Sequence, residues 1–473
     1  MKILLTGSTG YIGKRLLPYL LGKGHHVVCL VRDKKRFTRP QHTDGQITLI
    51  EGDLLSSESL NEIPNDIQVA YYLVHSMSSH ADYTSFEKTC ATNFQLKVSS
   101  TSCEQVIYLG GILNDSELSD HLNSRKNVEL ELSKGSYHIT SLRAGIIIGS
   151  GSASFEIMRD LVEKLPIMIT PKWLMTRCQP IGISDVLLFL YRSALNPNTY
   201  DKHFDIGCND VLTYKEMLLI FAKVRNLRRY IWTVPVLTPK LSSYWLYFVT
   251  STSFRLARSL VDSMKIEVVC QNNDINTLLD VAPISYKDSL IKAFNRTQKN
   301  EIVSTWKDSY SSSDNEFTVS DFIEVPTFGC FKDQRTQKVV SEDKTIDAIW
   351  SIGGDKGWFH GNWLWKVRGY LDKLFGGVGL RRGRRSQTEL NVGDPLDFWR
   401  VLYANKEEGH LLLFAEMKLP GEAWLEFKIE GTQLKQTATF RPLGLAGRLY
   451  WYSVVPLHGY IFNGMLNKLS KTR

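Results

Sequence analysis

Short runs of aliphatic and β-branched residues alternate with longer segments of mixed polarity over about the first 150 residues of the chain. Each run has the length of a strand, and each following segment is long enough for a helix. This alternation is typical of βαβ units around a buried parallel sheet. It predicts an α/β class fold, a doubly wound Rossmann sheet. The predicted strands are Ile3–Leu5, Val27–Val31, Ile47–Ile50, Val69–Val74, Val106–Leu109 and Thr140–Ile148.

From about residue 150 to 300 the pattern becomes more helical and less regular. The clearest helical periodicity predicts helices over Ser154–Leu165, Tyr214–Val224 and Ser242–Ser263. A helical segment that follows a parallel sheet suits a cap over one edge of that sheet. We therefore expect residues 1–300 to form the Rossmann domain, with a small substrate subdomain over about 205–300.

A polar stretch over Asn295–Phe317 has the composition of a linker, and we place the linker at 301–320. Beyond it, seven of the eleven tryptophans lie between Trp350 and Trp451. Strand-like runs follow one another with short turns, and the final segment is apolar with helical spacing. An α+β domain over 321–473 is expected, with an antiparallel sheet and a long C-terminal helix. The runs are His410–Leu419, Ala423–Glu430 and Thr432–Pro442, and the helical segment is Tyr450–Lys468.

The amino-acid composition argues against several classes of function. Hydrophobic residues make up 43% and charged residues 22%, which is ordinary for a folded protein. The net charge of +8 is modest, so nucleic acid is not an expected partner. Seven scattered cysteines without a C-x-x-C pair indicate neither a disulfide framework nor a metal site, and they favour a cytoplasmic protein. The most apolar window, Tyr230–Val261, is interrupted by prolines and charges, so only peripheral contact with the inner face of a membrane stays open.

A glycine-rich turn directly follows the first predicted strand and precedes a helical segment. Gly7 permits a tight turn, Gly10 lets the backbone approach a pyrophosphate, and Gly13 allows close packing of the helix. Free amides at the helix start would hold the anion. The strand, turn and helix together predict a dinucleotide site. Its expected residues are Gly7, Ser8, Thr9, Gly10, Tyr11, Ile12 and Gly13.

The end of the second predicted strand bears on the choice of cofactor. Arg32 stands where NAD-selective domains place an acidic residue, and an arginine there favours the 2′-phosphate of NADP(H). Asp33 keeps NAD(H) open as the alternative. At the end of the third strand, Asp53 and Leu54 are expected near the adenine, although a simple turn would explain them equally. His75 and Ser76, at the end of the fourth predicted strand, are also expected to line the cofactor crevice.

These motifs resemble the atypical short-chain dehydrogenase/reductase superfamily over roughly residues 1 to 295. The stretches Tyr71–Met77, Tyr108–Ile112 and Leu142–Ser154 look like an NmrA-like, NAD(P)-binding branch, and they are also similar to the reductase-like accessory subunit of respiratory complex I. The tail, with Gly353–Trp358 and Phe440–Tyr452, resembles the uncharacterised domain often fused to that branch. The resemblance implies a helix-grip-like fold for the tail and a hydrophobic ligand such as a lipid.

The catalytic residues depart from the superfamily pattern. Typical members use a serine with Tyr-x-x-x-Lys, in which the tyrosine transfers a proton and the lysine lowers its pKa. Here the strand that would deliver the serine ends in Gly110 and Gly111, and the best match to the pair is His121 with Arg125. Residues four apart share a helix face, so both can point into the crevice. Histidine can shuttle protons, whereas arginine can bind ribose hydroxyls or phosphate.

Two functions therefore compete. One is an NADP(H)-dependent oxidoreductase that delivers hydride to a hydrophobic carbonyl or quinone-like substrate, with His121 or water as proton donor. The other is a non-catalytic redox sensor or scaffold with a lipid-binding tail. A nucleotide-sugar epimerase or dehydratase is a weaker third, because that chemistry needs the missing tyrosine. The tail offers candidate pocket residues, although core packing alone explains most of them: Trp358, Trp363, Trp365, Trp424 and Trp451.

Overall fold

The computed structural model divides the chain into two compact units, Met1–Ser312 and Ser313–Arg473. The predicted linker 301–320 and the predicted helix Ser242–Ser263 lie outside the residues it describes. The described residues are 1–34, 37, 45–75, 83–114, 120–234, 264–298, 325, 330–375, 377, 379, 384, 386, 388–442 and 444–471.

A seven-stranded parallel sheet forms the centre of the first unit, which confirms the predicted fold class. Its strands are β1 Lys2–Thr6, β2 His26–Val31, β3 Ile47–Glu51, β4 Val69–Tyr72, β5 Gln105–Gly111, β6 His138–Ala144 and, further along the chain, β11 Lys202–Ile206. Their spatial order is β11-β6-β5-β4-β1-β2-β3. The order reverses between β1 and β4, and in sheets of this kind ligands bind beyond the carboxyl ends of the strands at that point.

Helices cover both faces of this sheet, because its strands are apolar on both sides. The face formed by Leu5, Tyr71 and Ile107 packs in one buried cluster with α1 and α5. The opposite face, with Leu4, Tyr72 and Val106, packs against α2 and α3. The helices of the first unit are α1 Gly13–Gly22, α2 Tyr83–Ser99, α3 Asp120–Leu132, α4 Ala153–Lys164, α5 Ile183–Arg192, α6 Tyr214–Val224, α7 Asp274–Leu278 and α8 Tyr286–Gln298.

The single strand predicted over Thr140–Ile148 is wrong, because the chain changes sheets at Gly145. A β-carbon on Gly145 would lie 3.2 Å from Cγ1 of Val268 and 3.3 Å from the carbonyl oxygen of Gln179. The crowded glycine ends β6 and lets the next strand leave the main sheet. The smaller strands are β7 Ile146–Ile148 with β10 Pro180–Gly182, β8 Ile167–Pro171 with β13 Tyr230–Val234, and β9 Arg177–Cys178 with β12 Leu212–Thr213.

The second unit has the antiparallel sheet and terminal helix that the sequence predicts. Six strands pair in the order β14-β19-β18-β17-β16-β15. The ring of Trp451, in the long helix, stacks on Phe331 at 5.5 Å and on Phe440 at 5.7 Å, which fixes the helix on one face of the sheet. The elements are β14 Phe331–Lys338, α9 Glu342–Ile349, α10 Asn362–Leu374, β15 Pro395–Leu396, β16 Trp399–Asn405, β17 His410–Ala415, β18 Gly421–Glu430, β19 Gln433–Pro442 and α11 Gly444–Ser470.

Four of the five candidate pocket tryptophans are packed in the interior of the second unit: Trp358, Trp365, Trp424 and Trp451. Trp363 differs, because 62% of its surface is exposed. None of the seven cysteines forms a disulfide. Over the residues that the structure describes, no helix is long and apolar enough to cross a membrane, and no group of three or more metal-binding side chains occurs.

Candidate functional site: the crevice at the carboxyl ends of the strands

The glycine turn between β1 and α1 is shaped by two close approaches of backbone. Gly7 has φ +72°, and a β-carbon there would lie 2.6 Å from the carbonyl oxygen of Leu73, just beyond β4. A β-carbon on Gly13 would lie 2.2 Å from the carbonyl oxygen of Gly7. Gly10 is less confined, and its amide donates to the Gly7 carbonyl at 2.9 Å. The turn therefore tolerates no side chain at Gly7 or Gly13.

The start of α1 offers the features of an anion site. Its N-cap residue, Ile12, forms no side-chain cap, and its first turn has no acidic residue, so the positive end of the helix dipole is uncompensated. The hydroxyl of Ser8 is buried and has no hydrogen-bond partner among the described residues. Thr9 and Tyr11 are partly exposed on the same turn. These residues fit a pyrophosphate, which would accept from the amides and the hydroxyl.

Arg15 connects this turn to the loop after β7, a contact that the sequence analysis missed. Its guanidinium lies over the Tyr11 ring, 4.2 Å from the ring centroid, and donates to the Ser150 carbonyl at 2.8 Å. Burial raises the pKa of the Tyr11 hydroxyl, and the charge of Arg15 opposes that rise. Arg15 thus positions the turn on which the predicted cofactor residues lie.

The structure brings Arg32, Asp53 and Cys90 into one neighbourhood. Burial raises the pKa of the Cys90 thiol to about 12, the negative charge of Asp53 adds to the rise, and the positive charge of Arg32 opposes it. Arg32 is exposed, whereas Asp33 is only 4% exposed.

Asp53 also has a local role, since its Oδ1 accepts from the Leu55 amide at 3.0 Å. Leu54 is buried in the core, and its carbonyl accepts from Nδ2 of Asn93 at 2.8 Å. The turn that closes β3 is thus held by its own hydrogen bonds.

A polar network joins β4 to α2 and α3. Nδ1 of His75 lies 2.6 Å from Oε1 of Glu87, and the Ser124 hydroxyl donates to Oε2 of the same carboxylate. Burial lowers the pKa of His75, the positive charge of Arg125 lowers it further, and Glu87 opposes both effects. Burial therefore favours the neutral form of the His75 imidazole, and Glu87 is the partner of its Nδ1 atom. Ser76 lies outside the described residues.

Arg125 lies across the end of β5. A β-carbon on Gly111 would be 3.4 Å from Cδ of Arg125, so the bare glycine leaves room for the side chain. The Nε atom of Arg125 is buried, and within the described part of the chain its guanidinium has no hydrogen bond or ion pair. Its carbonyl accepts from the Tyr108 hydroxyl at 3.3 Å. Arg125 as a whole is half-buried, so part of its guanidinium is open to solvent or to a ligand.

His121 is in the first turn of α3, four residues before Arg125, but its side chain lies outside what the structure describes. The Arg143 guanidinium, near the end of β6, forms two hydrogen bonds to Glu129 of α3, at 3.0 and 2.7 Å. No sequence pattern singles out Glu87, Ser124, Glu129 or Arg143 as site residues. The first three are polar residues at ordinary helical spacing, a signal common to any solvated helix, and Arg143 is one polar position in a β-strand.

An apolar cavity of about 40 Å³ lies farther along the first unit, beside α4 and α6. Trp173 and Tyr214 line it, and Nε1 of Trp173 is buried without an acceptor among the described residues. A cavity that holds a benzene ring has a volume of about 150 Å³. This space therefore accommodates only a few atoms.

Comparisons with known proteins agree with this geometry. Residues 3–100 match the NAD dependent epimerase/dehydratase family, and residues 330–465 match a family described as a protein of unknown function, DUF2867. A UDP-glucose 4-epimerase of Klebsiella pneumoniae is 39% identical over 71 residues, which cover 14% of this chain and 51% of that protein. An uncharacterized protein of Saccharomyces cerevisiae is 29% identical over 121 residues, 24% of this chain and 39% of that protein. The chain thus spans about half or less of these relatives.

Two solved structures share the fold of the first unit. A nucleoside-diphosphate-sugar epimerase of Staphylococcus aureus superposes with a TM-score of 0.50 and 16% sequence identity. The superposition covers 61% of this chain and 99% of the epimerase chain. A triphenylmethane reductase of Citrobacter sp. superposes with a TM-score of 0.51 and 15% sequence identity. That superposition covers 62% of this chain and 100% of the reductase chain. The first unit therefore has a Rossmann fold like that of these two solved structures, and its first 100 residues resemble the NAD dependent epimerase/dehydratase family.

Proposed function

We propose that the first unit binds NADP(H) and acts as an oxidoreductase on a hydrophobic carbonyl or quinone-like substrate. The lack of partners for the Arg125 guanidinium among the described residues is the observation that most supports this proposal. This guanidinium lies at the carboxyl end of β5 near the strand-order reversal. A ligand that carries ribose hydroxyls or phosphate would supply the missing partners.

The glycine turn and Arg32 give this ligand its class. The crowded Gly7 and Gly13 and the unpartnered Ser8 hydroxyl suit a pyrophosphate at the start of α1. Arg32 is exposed where the adenosine ribose would lie, whereas the Asp33 carboxylate is buried. An exposed cation favours a 2′-phosphate, so NADP(H) is preferred over NAD(H).

The chemistry of reduction needs a hydride and a proton. A bound NADPH would supply the hydride to the substrate carbon, where a new C–H bond forms as the carbonyl π bond breaks. The carbonyl oxygen then takes a proton from His121, or from a water in its place, and His121 is reprotonated from solvent. Arg125 would bind the ribose, and the Glu87 carboxylate would keep His75 oriented beside it.

The experiment is a fluorescence titration of the purified full chain with NADPH and with NADH. We expect Arg125→Ala to weaken NADPH binding about tenfold or more, while Lys126→Ala, an exposed neighbour on the same helix, has no effect. Arg32→Ala should weaken NADPH but not NADH, with exposed Arg228→Ala as its control. Quinones and apolar aldehydes then test turnover, which His121→Ala should abolish. Absence of NADPH binding would overturn the proposal.

A non-catalytic redox sensor or scaffold is the second candidate. It is favoured by the end of β5, where Gly110 and Gly111 carry no hydroxyl, and by the lack of a tyrosine in α3. This function predicts NADPH binding without turnover for the whole substrate panel. Sugar-nucleotide epimerisation has weaker support, because the match to the epimerase family ends at residue 100, before β5 and α3 begin.

We infer an NmrA-like branch for the first unit and a helix-grip-like, hydrophobic-ligand domain for the second. The second inference is supported by Gln436, which is 1% exposed and has both amide atoms without partners among the described residues. Gln436 pairs in register with Arg335 of β14, whose guanidinium donates to Asp333 and Asn463. A ligand with a polar group could satisfy the amide inside an otherwise apolar domain.

A further inference from the structure

Helix α10 of the second unit has an unusual distribution of side chains. One face packs inward through Trp365, Gly369 and Asp372, all buried. The opposite face is apolar and open, with exposures from 42% for Leu371 to 71% for Phe375. The exposed apolar residues are Trp363, Val367, Tyr370, Leu371 and Leu374, with Phe375 directly after the helix.

The exposed residues form a continuous stripe. Residues at 363, 367, 370, 371 and 374 follow the i, i+4, i+7, i+8 and i+11 spacing that places side chains along one side of a helix. A helix on the surface of a globular protein normally shows polar residues there. Contiguous exposed apolar surface of this kind marks an interaction site rather than scattered exposure.

The charges beside the stripe identify what it would meet. Lys366 and Lys373 lie along one edge and Arg368 near the other. Exposed Lys418 is next to Arg368, whose guanidinium donates to the Lys418 carbonyl at 3.1 Å. Asp372 is the only acidic residue of the helix, and its carboxylate is buried. The stripe is thus bordered by positive charge without exposed negative charge on α10.

We propose that α10 is a peripheral membrane-binding helix that lies in the interface of an anionic bilayer. Trp363 and Tyr370 are residue types favoured at the boundary between headgroups and acyl chains, and Leu374 and Phe375 would enter the apolar layer. Lysine and arginine stems can run along the apolar surface while their charges reach the phosphates. A second copy of this chain is a poorer occupant, because it would bring the same positively charged edges together.

The test is co-flotation of the full chain with vesicles of phosphatidylcholine alone and of equal parts phosphatidylcholine and phosphatidylserine. We expect binding to the anionic vesicles that falls as salt is raised. Trp363→Gln and Leu374→Gln should each reduce the bound fraction about tenfold. Val340→Gln removes an apolar residue that is 65% exposed elsewhere in the second unit, and should not change binding. Lys366→Glu should reduce binding to the anionic vesicles only.

Folding of each variant is checked by its thermal unfolding, which should match that of the unchanged chain because these side chains are exposed. Lack of flotation with anionic vesicles, or equal flotation of Trp363→Gln and the unchanged chain, would overturn the proposal. Sedimentation of the protein without lipid distinguishes the alternative: a dimer that Trp363→Gln dissociates, with no vesicle binding, would assign the stripe to self-association instead.

Discussion

The Nδ1 atom of His75 lies 2.6 Å from the Oε1 atom of Glu87, and this pair links the end of β4 to α2. The second oxygen of Glu87 accepts from the Ser124 hydroxyl of α3. One buried carboxylate therefore connects three elements of the first unit at the edge of the proposed cofactor crevice.

Removal of this carboxylate should destabilise the first unit. Glu87→Ala leaves the His75 ring and the buried Ser124 hydroxyl without their shared acceptor, and we expect a loss of about 1–3 kcal/mol in the free energy of unfolding. Glu62→Ala, at an exposed position, should change it by less than about 0.5 kcal/mol. Urea denaturation of the two variants measures the difference. Equal stability would mean that the carboxylate does not hold these elements together.

Alanine substitutions at two glycines of α1 should have different effects on stability and on cofactor binding. A β-carbon at Gly13 would meet the Gly7 carbonyl oxygen at 2.2 Å, whereas one at Gly22 would meet nothing within 4 Å. We expect Gly13→Ala to lower the free energy of unfolding by about 3 kcal/mol or more and to weaken NADPH binding. Gly22→Ala should be neutral or stabilising by up to about 1 kcal/mol, because alanine favours the helix. Denaturation and titration of both variants check this.

His458 should make the second unit sensitive to acid. Burial lowers the pKa of His458, Asp333 opposes this effect and Arg335 adds to it, and the resulting pKa is about 4. Between pH 6.5 and 5 the unfolded chain binds a proton that the folded chain does not, so stability falls as pH falls. The loss over this range is about 2 kcal/mol. His458→Gln should flatten the pH dependence of unfolding, whereas mutation of exposed His203 should not.

Substitution of Gln436 tests whether its buried side-chain amide lacks hydrogen-bond partners in the protein. Because both amide atoms are buried without partners among the described residues, Gln436→Leu should stabilise the protein by about 1 kcal/mol. Gln334→Leu, at an exposed position of β14, should not. Thermal unfolding measures both variants. A Gln436→Leu variant that is less stable would show that the amide is already satisfied in the protein.

The sequence alone determined the features that depend on neighbours along the chain. The strand, glycine turn and helix from Lys2 to Gly22 follow from local periodicity and from the need for glycine at two crowded positions. The parallel sheet of the first unit and the antiparallel sheet of the second follow from the spacing of apolar runs. Even the strand predicted over Thr140–Ile148 was wrong only where Gly145 meets Val268, a residue far along the chain.

Only the tertiary structure decided which charges are paired and which faces are covered. Glu87 meets His75 and Ser124, whereas the Arg125 guanidinium has no hydrogen-bond or ion-pair partner among the described residues, although nothing in the local sequence separates these side chains. Trp363 is exposed while Trp365 is buried, two positions away. Helical periodicity places them on different faces, but which face meets the core is set by contacts between distant segments, and these depend on the packing of the whole unit.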